Sequence, residues 1–147
     1  MKVRVAVLTI SDRSFRGERE DRGGPAVAAA VVSSVDGAEV VETRIVQDEA
    51  DDIGWNLRRL CDSDLADLVL TTGGTGLGPR DVTPQATLSV LDFEVPGLTE
   101  AMRAATRAAL PAADLSRQVC GVRGRTLVVN LPGSPFGTTA PKTVGST

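Results

Sequence analysis

A chain of 147 residues, 41% of them hydrophobic, has the apolar material for one domain with a proper core and too little length for two. Its net charge of −3 offers no broad basic surface for nucleic acid, and no apolar stretch approaches the length of a membrane span. Histidine and tyrosine are both absent, which excludes Ser-His-Asp and Cys-His mechanisms and histidine-ligated zinc.

In chain order, Val3 to Ile10 is an apolar run with little alternation and predicts a buried strand. Ser11 to Gly23 reads as a charged loop. Arg13, Arg16, Arg19 and Arg22 recur there among Glu18, Glu20 and Asp21, as in a solvated loop or a lid over a polyanion. Pro25 suits a first helical turn, and the alanine-rich stretch carries that helix to Val35. Ala38 to Val46 reads as a second strand. Asp48 can cap a helix running to about Asp62, with Ile53, Leu57, Leu60 and Cys61 on one face and Trp55 on the other. Asp67 to Thr72 is the next strand.

Thr83 is a plausible N-cap with Pro84 at the first position of a short helix to Leu91. Gly97 to Ala109 reads as a helix with Leu98, Met102, Ala105 and Ala109 along one stripe. Gln118 to Asn130 reads as two strands turned around Gly124. The alternation of strands and helices predicts a three-layer α/β/α sandwich with a mostly parallel sheet and one C-terminal hairpin. Cys61 and Cys120 form no CxxC pair and read as reduced thiols. Together with an N-terminus lacking the pattern of a signal peptide, they point to a cytoplasmic protein.

One loop dominates this layout. After the strand ending at Thr72, glycine occurs at 73, 74, 76 and 78, followed by Arg80 and Asp81. Glycine allows positive φ and close approach of backbone to ligand, so successive N–H groups can converge on an anion, and a following helix N-terminus adds donors. Neither common glycine motif is present. A P-loop requires GxxxxGK[ST], yet no lysine lies between Lys2 and Lys142, and Pro79 stands where GxGxxG needs its last glycine. In open parallel sheets ligands bind beyond the carboxyl ends of the strands. Ser11 and Asp12, Asp48, the glycine loop and Asn130 to Gly133 each follow a strand, which gathers Asp12, Asp48 and Asp81 on one rim. Plainer roles exist for several of these: Asp48 as a helix cap, Asp81 as an Asx-turn residue, Asn130 and Ser134 as turn residues, Met102 and Trp55 as packing.

The loop's wording, TTGGTG at 71–76 followed by PRDVTP at 79–84, resembles the molybdopterin adenylyltransferase family of molybdenum cofactor biosynthesis, including the gephyrin-type domain. TISDRSFRGEREDRGGP at 9–25, VQDE at 46–49 and NLPGSP at 130–135 fit the same pattern in order. The resemblance implies transfer of AMP from ATP to the terminal phosphate of molybdopterin, a dithiolene pterin, with release of pyrophosphate and the help of Mg2+. It implies Asp48 and Asp81 as catalytic and metal-holding residues, and Gly73, Gly74, Thr75, Gly76 and Arg80 as the nucleotide-phosphate site. Ser11, Asp12, Asn130, Pro132, Gly133 and Ser134 are implied as the molybdopterin side, and a homotrimer as the assembly.

The family pattern continues past NLPGSP into a long amphipathic helix. Residues 136–147 carry no such period, which divides the chain into a binding domain at 1–135 and an atypical tail. A non-catalytic molybdopterin-binding module is the alternative, and a generic nucleotide-dependent enzyme or dehydrogenase fits less well.

Overall fold

The computed structural model describes residues 1–133. Ser134 and the tail 136–147 lie outside the described residues. The apolar run at the start of the chain forms strand β1 (Val3–Ile10), whose side chains divide between two cores. Ala6, Leu8 and Ile10 join one, Val5 and Val7 the other. Period-two geometry sends neighbours to opposite faces, so a strand apolar at successive positions, as β1 is from Val5 to Leu8, must be covered on both sides. Strands β3 (Leu68–Thr72) and β6 (Thr126–Leu131) behave alike, sending Val69 and Val128 to the first core and Leu70 and Val129 to the second.

Four helices provide the covers. Val27 and Val31 of α2 (Gly23–Ser34) are buried in the second core, with Met102 of α5 (Pro96–Arg107) packed against it. Ile53, Leu57 and Leu60 of α3 (Ala50–Asp62) and Ala86 of α4 (Thr83–Leu88) belong to the first. This is the α/β/α sandwich that the alternation predicts. The described residues form a six-stranded sheet in the order β2-β1-β3-β6-β5-β4, where β2 is Ala38–Val46, β4 is Phe93–Glu94 and β5 is Cys120–Arg123. The β1–β2, β1–β3 and β3–β6 pairs are parallel, while β5 runs antiparallel to both of its neighbours.

Register sets up the site. Thr9 lies opposite Thr72, Thr72 opposite Leu131, and Ile10 opposite Val46, so four strands end at one level. No helix among the described residues is long and apolar enough to cross a membrane. Cys120 is buried in the second core and Cys61 packs against the first; both thiols are free, and burial pushes both upward in pKa.

Several boundaries differ from expectation. The charged loop contains a short helix, α1 (Asp12–Phe15), because the Ser11 hydroxyl accepts the Ser14 N–H at 3.2 Å and so starts a turn. Glu49, not Asp48, occupies the cap position of α3, and α4 is capped at Val82 and stops at Leu88. The α5 stripe also departs from the reading. Leu98, Ala105 and Ala109 are exposed, whereas Thr99 is buried and Met102 packs inward. A short 3-10 helix (Pro111–Leu115) follows α5.

Candidate active site

The glycine loop leaves β3 through two left-handed residues, Gly73 at φ +104° and Gly74 at φ +71°. A Cβ at Gly73 would run into the Ile10 carbonyl oxygen and one at Gly74 into the Thr83 hydroxyl, so both space and φ demand glycine here. The turn is pinned from several sides. Gly73 N–H donates to Leu131 O at 3.0 Å, Thr83 N–H to Gly74 O at 3.2 Å, and the Thr83 hydroxyl to Gly73 O at 3.0 Å. Thr83 is therefore spent on the loop and not on capping α4. That helix has only six residues, which leaves the loop's own amides as the main anion donors. Among the described residues, the N–H groups of Gly74, Thr75 and Gly76 donate to no protein acceptor. Three free amides in succession form an anion nest.

Three carboxylates ring this nest. Asp12 N–H donates to Asp48 Oδ2 at 2.8 Å, and Asp48 N–H returns a bond to Asp12 Oδ1 at 2.9 Å. Arg80 reaches Asp12 twice, at 3.0 and 3.2 Å, and Glu49 at 2.9 Å. Its guanidinium holds the Asp12 carboxyl below its ordinary value, whereas burial pushes the Asp48 carboxyl up, with the negative charges of Asp12 and Asp81 adding to the effect. Asp81 Oδ2 accepts the Gly78 N–H at 2.8 Å and Asp81 N–H donates to Gly78 O at 3.0 Å, so its carboxylate closes the preceding turn backward and does not form the Asx-turn foreseen, which would take the N–H two residues on. Each of Asp48 and Asp81 keeps its Oδ1 free of hydrogen bonds among the described residues.

Above the nest opens a cleft of about 850 Å³. One wall is the Asp12 to Gly23 segment. Asp21 anchors it by accepting from the Thr9 hydroxyl at 2.8 Å and the Gly24 N–H at 3.0 Å. The opposite wall is α5 with the 3-10 helix, including Met102, Arg103, Leu110 and Leu115. Ser11, Asp12, Asp48, Gly73, Gly74, Thr75, Gly76, Asp81, Pro132 and Gly133 all line the cleft, so most of the expected site comes together.

Two expected site residues do not line it. Arg80 is engaged by Asp12 and Glu49 instead. Asn130 is wholly buried: its Nδ2 donates to the Thr71 and Thr87 hydroxyls, each at 3.0 Å, and its Oδ1 accepts the Val119 N–H at 3.2 Å. Such a residue shapes the loop after β6 from beneath. The sequence reading also missed the segment Ser116 to Gln118, whose Ser116 and Gln118 line the cleft and whose Arg117 binds the glycine loop. Nothing in its spacing marks it.

Comparison with known proteins follows the same outline. The family model MoCF_biosynth, described as "Probable molybdopterin binding domain", matches residues 6–140. The molybdopterin adenylyltransferase of Escherichia coli (strain K12) is 44% identical over 133 residues, covering 90% of this chain and 68% of that protein. The molybdopterin adenylyltransferase of Helicobacter pylori (strain J99) is 41% identical, covering 90% of this chain and 76% of that protein. Among solved structures, the molybdopterin biosynthesis enzyme MoaB of Thermus thermophilus superposes with a TM-score of 0.86 at 48% identity. That match spans 95% of this chain and 87% of the other.

Proposed function

This chain belongs to the molybdopterin-binding domain family, and on that premise we propose that it is a molybdopterin adenylyltransferase acting in molybdenum cofactor biosynthesis. In the reaction an oxygen of the terminal phosphate of molybdopterin attacks the α-phosphorus of ATP. One P–O bond forms, the bond to the β-phosphate breaks, and pyrophosphate leaves. The observation that carries this reading is the nest of unspent amides at Gly74, Thr75 and Gly76, flanked by Asp48 and Asp81 on the floor of a cleft roomy enough for two substrates.

The nucleophile is already an anion, so a chain without histidine lacks nothing the chemistry needs. Its own residues bind and align. The loop amides receive phosphate oxygens, and the two cleft walls hold the heterocycles and exclude water. The free Oδ1 atoms of Asp48 and Asp81 suit Mg2+, a hard ion that takes one or two carboxylates alongside phosphate oxygens and water. Bound there, Mg2+ would offset phosphate charge and help align the attacking and leaving oxygens.

A cytoplasmic homotrimer is part of the same proposal. Trp55, 55% exposed on the outer face of α3, offers a large aromatic surface for a neighbouring copy, and light scattering reads the mass. The decisive experiment supplies purified protein with molybdopterin, ATP and Mg2+. Pyrophosphate and adenylylated pterin should appear in equal amounts. Binding of molybdopterin without pyrophosphate release would instead identify a non-catalytic module.

A further inference from the structure

We infer that Arg117 is a positioning residue for adenylyl transfer, aiming the amides of the glycine loop and holding Asp81 from behind; this rests on the transfer reading above. Arg117 lies between the 3-10 helix and β5, outside the lining of the cleft. Its main-chain N–H donates to Thr75 O at 2.9 Å. Its guanidinium then spreads beneath the loop: Nε donates to Gly76 O at 2.9 Å, Nη2 to Asp81 O at 2.7 Å, and Nη1 to Gln85 Oε1 at 3.3 Å. Only a planar fork with fixed donor directions reaches three such acceptors at once. The neighbours extend the tie. The Ser116 hydroxyl donates to Thr75 Oγ1 at 3.1 Å, and Gln118 Nε2 donates to Asn130 O at 2.9 Å.

Peptide geometry turns this clamp into an aiming device. The carbonyl of Thr75 and the N–H of Gly76 share one planar trans unit and point in opposite directions, as do the carbonyl of Gly76 and the N–H of Leu77. Drawing both carbonyls back to Arg117 therefore turns both N–H groups forward, to the side on which Thr75, Gly76 and Leu77 line the cleft. The third bond fixes the main chain of Asp81, and with it the carboxylate facing the same site.

The test compares the unmodified protein with Arg117→Lys, which keeps charge and length but not the fork, and with Arg117→Gln. Both variants should lose about 10²-fold in kcat, the typical cost of a small misalignment at the reacting atoms. KM for molybdopterin should stay within about threefold, since the loop binds the other substrate. Amide hydrogen exchange gives a readout that does not depend on activity. Gly78 and Asp81 N–H, bonded within the loop, should be protected in the unmodified protein and lose protection in both variants, while amides of β1 and β3 stay protected.

Near-parent kcat in both variants, or full rescue by lysine, would overturn the inference, as would rapid exchange of Gly78 and Asp81 in the unmodified protein. Failure of both variants to fold would make Arg117 a general stabiliser and overturn it equally. If the unmodified protein releases no pyrophosphate, the transfer reading itself fails, and retained loop protection in the variants would separately refute the clamp.

Discussion

Asp12 and Asp48 hold one another by a reciprocal pair of hydrogen bonds, each carboxylate accepting the other's main-chain N–H, at 2.8 and 2.9 Å. The exchange ties the end of β1 to the end of β2 and places two carboxylates in one polar knot. Their circumstances differ. Arg80 donates to Asp12 and favours its charged form, while burial and the neighbouring negative charges disfavour ionised Asp48.

That asymmetry gives the first prediction. A carboxyl whose folded pKa is raised contributes stability below the ordinary carboxylate range, and the contribution is lost as pH rises through the raised value. At neutral pH, ionised Asp48 therefore costs the unliganded protein stability. Asp48→Asn can still accept the Asp12 N–H through its amide oxygen. It should raise Tm at pH 7. The gain should shrink toward about pH 3, where Asp48 is protonated in either state. Turnover should fall by about 10²–10³. Calorimetry at both pH values checks the sign, and a lower Tm at pH 7 would contradict it.

Asp81→Asn separates turn from chemistry. An asparagine oxygen can take over the Gly78 N–H bond, so the loop should persist and Tm should move little. If Asp81 fixes charge beside the transferred phosphoryl group, kcat should drop by about 10²–10³. Pyrophosphate release in a variant of unchanged Tm is the measurement. Parent-like turnover would leave Asp81 a turn residue.

Arg80→Met probes the acid side. The lowered Asp12 carboxyl contributes stability above its unfolded pKa, and that contribution is lost as pH falls through its lowered value. Without Arg80 the largest part of the contribution disappears, leaving the Asp48 N–H bond and the charge of Arg16, and the midpoint of acid unfolding should move to higher pH, followed by circular dichroism. Because Arg80 does not line the cleft, kcat should fall by less than about tenfold, well short of the Asp81→Asn loss.

Asn130→Ala should be the most destabilising of the set. It strips partners from the buried Thr71 hydroxyl and the Val119 N–H, while the Thr87 hydroxyl keeps its bond to Thr83 O. Unsatisfied polar groups of this kind cost on the order of 3 kcal/mol together. Urea denaturation monitored at Trp55 reads the change, and a shift below about 1 kcal/mol would show that water replaces the amide.

What the sequence revealed followed from rules that act locally. Little alternation over 3–10 and the apolar run Leu68 to Leu70 announced buried strands, and a proline-stopped cluster of glycines announced a loop built for close approach. What stayed hidden depended on partners far away in the chain. Asp12 and Asp48 are 36 residues apart, and an aspartate ahead of a helix looks the same as cap or as half of a carboxylate knot. Arg80 had the right charge for a phosphate, but nothing local could show that Asp12, 68 residues away, would claim it. Asn130 before Leu-Pro-Gly resembles a turn residue until β6 is seen to continue through Leu131, which places its amide in the interior. The α5 stripe shows the limit of periodicity, which says which residues share a face and not whether that face is covered.

The placement of the two cysteines carries a consequence for a sulfur-bearing substrate. Cys61 and Cys120 sit in the two cores, and Met102 is the one sulfur among the described residues that line the cleft. A thioether cannot exchange with a disulfide, and both thiols are held toward their unreactive protonated form. A dithiolene resting in this cleft would meet no thiolate on its walls, so it could be neither captured as a mixed disulfide nor oxidised against its host.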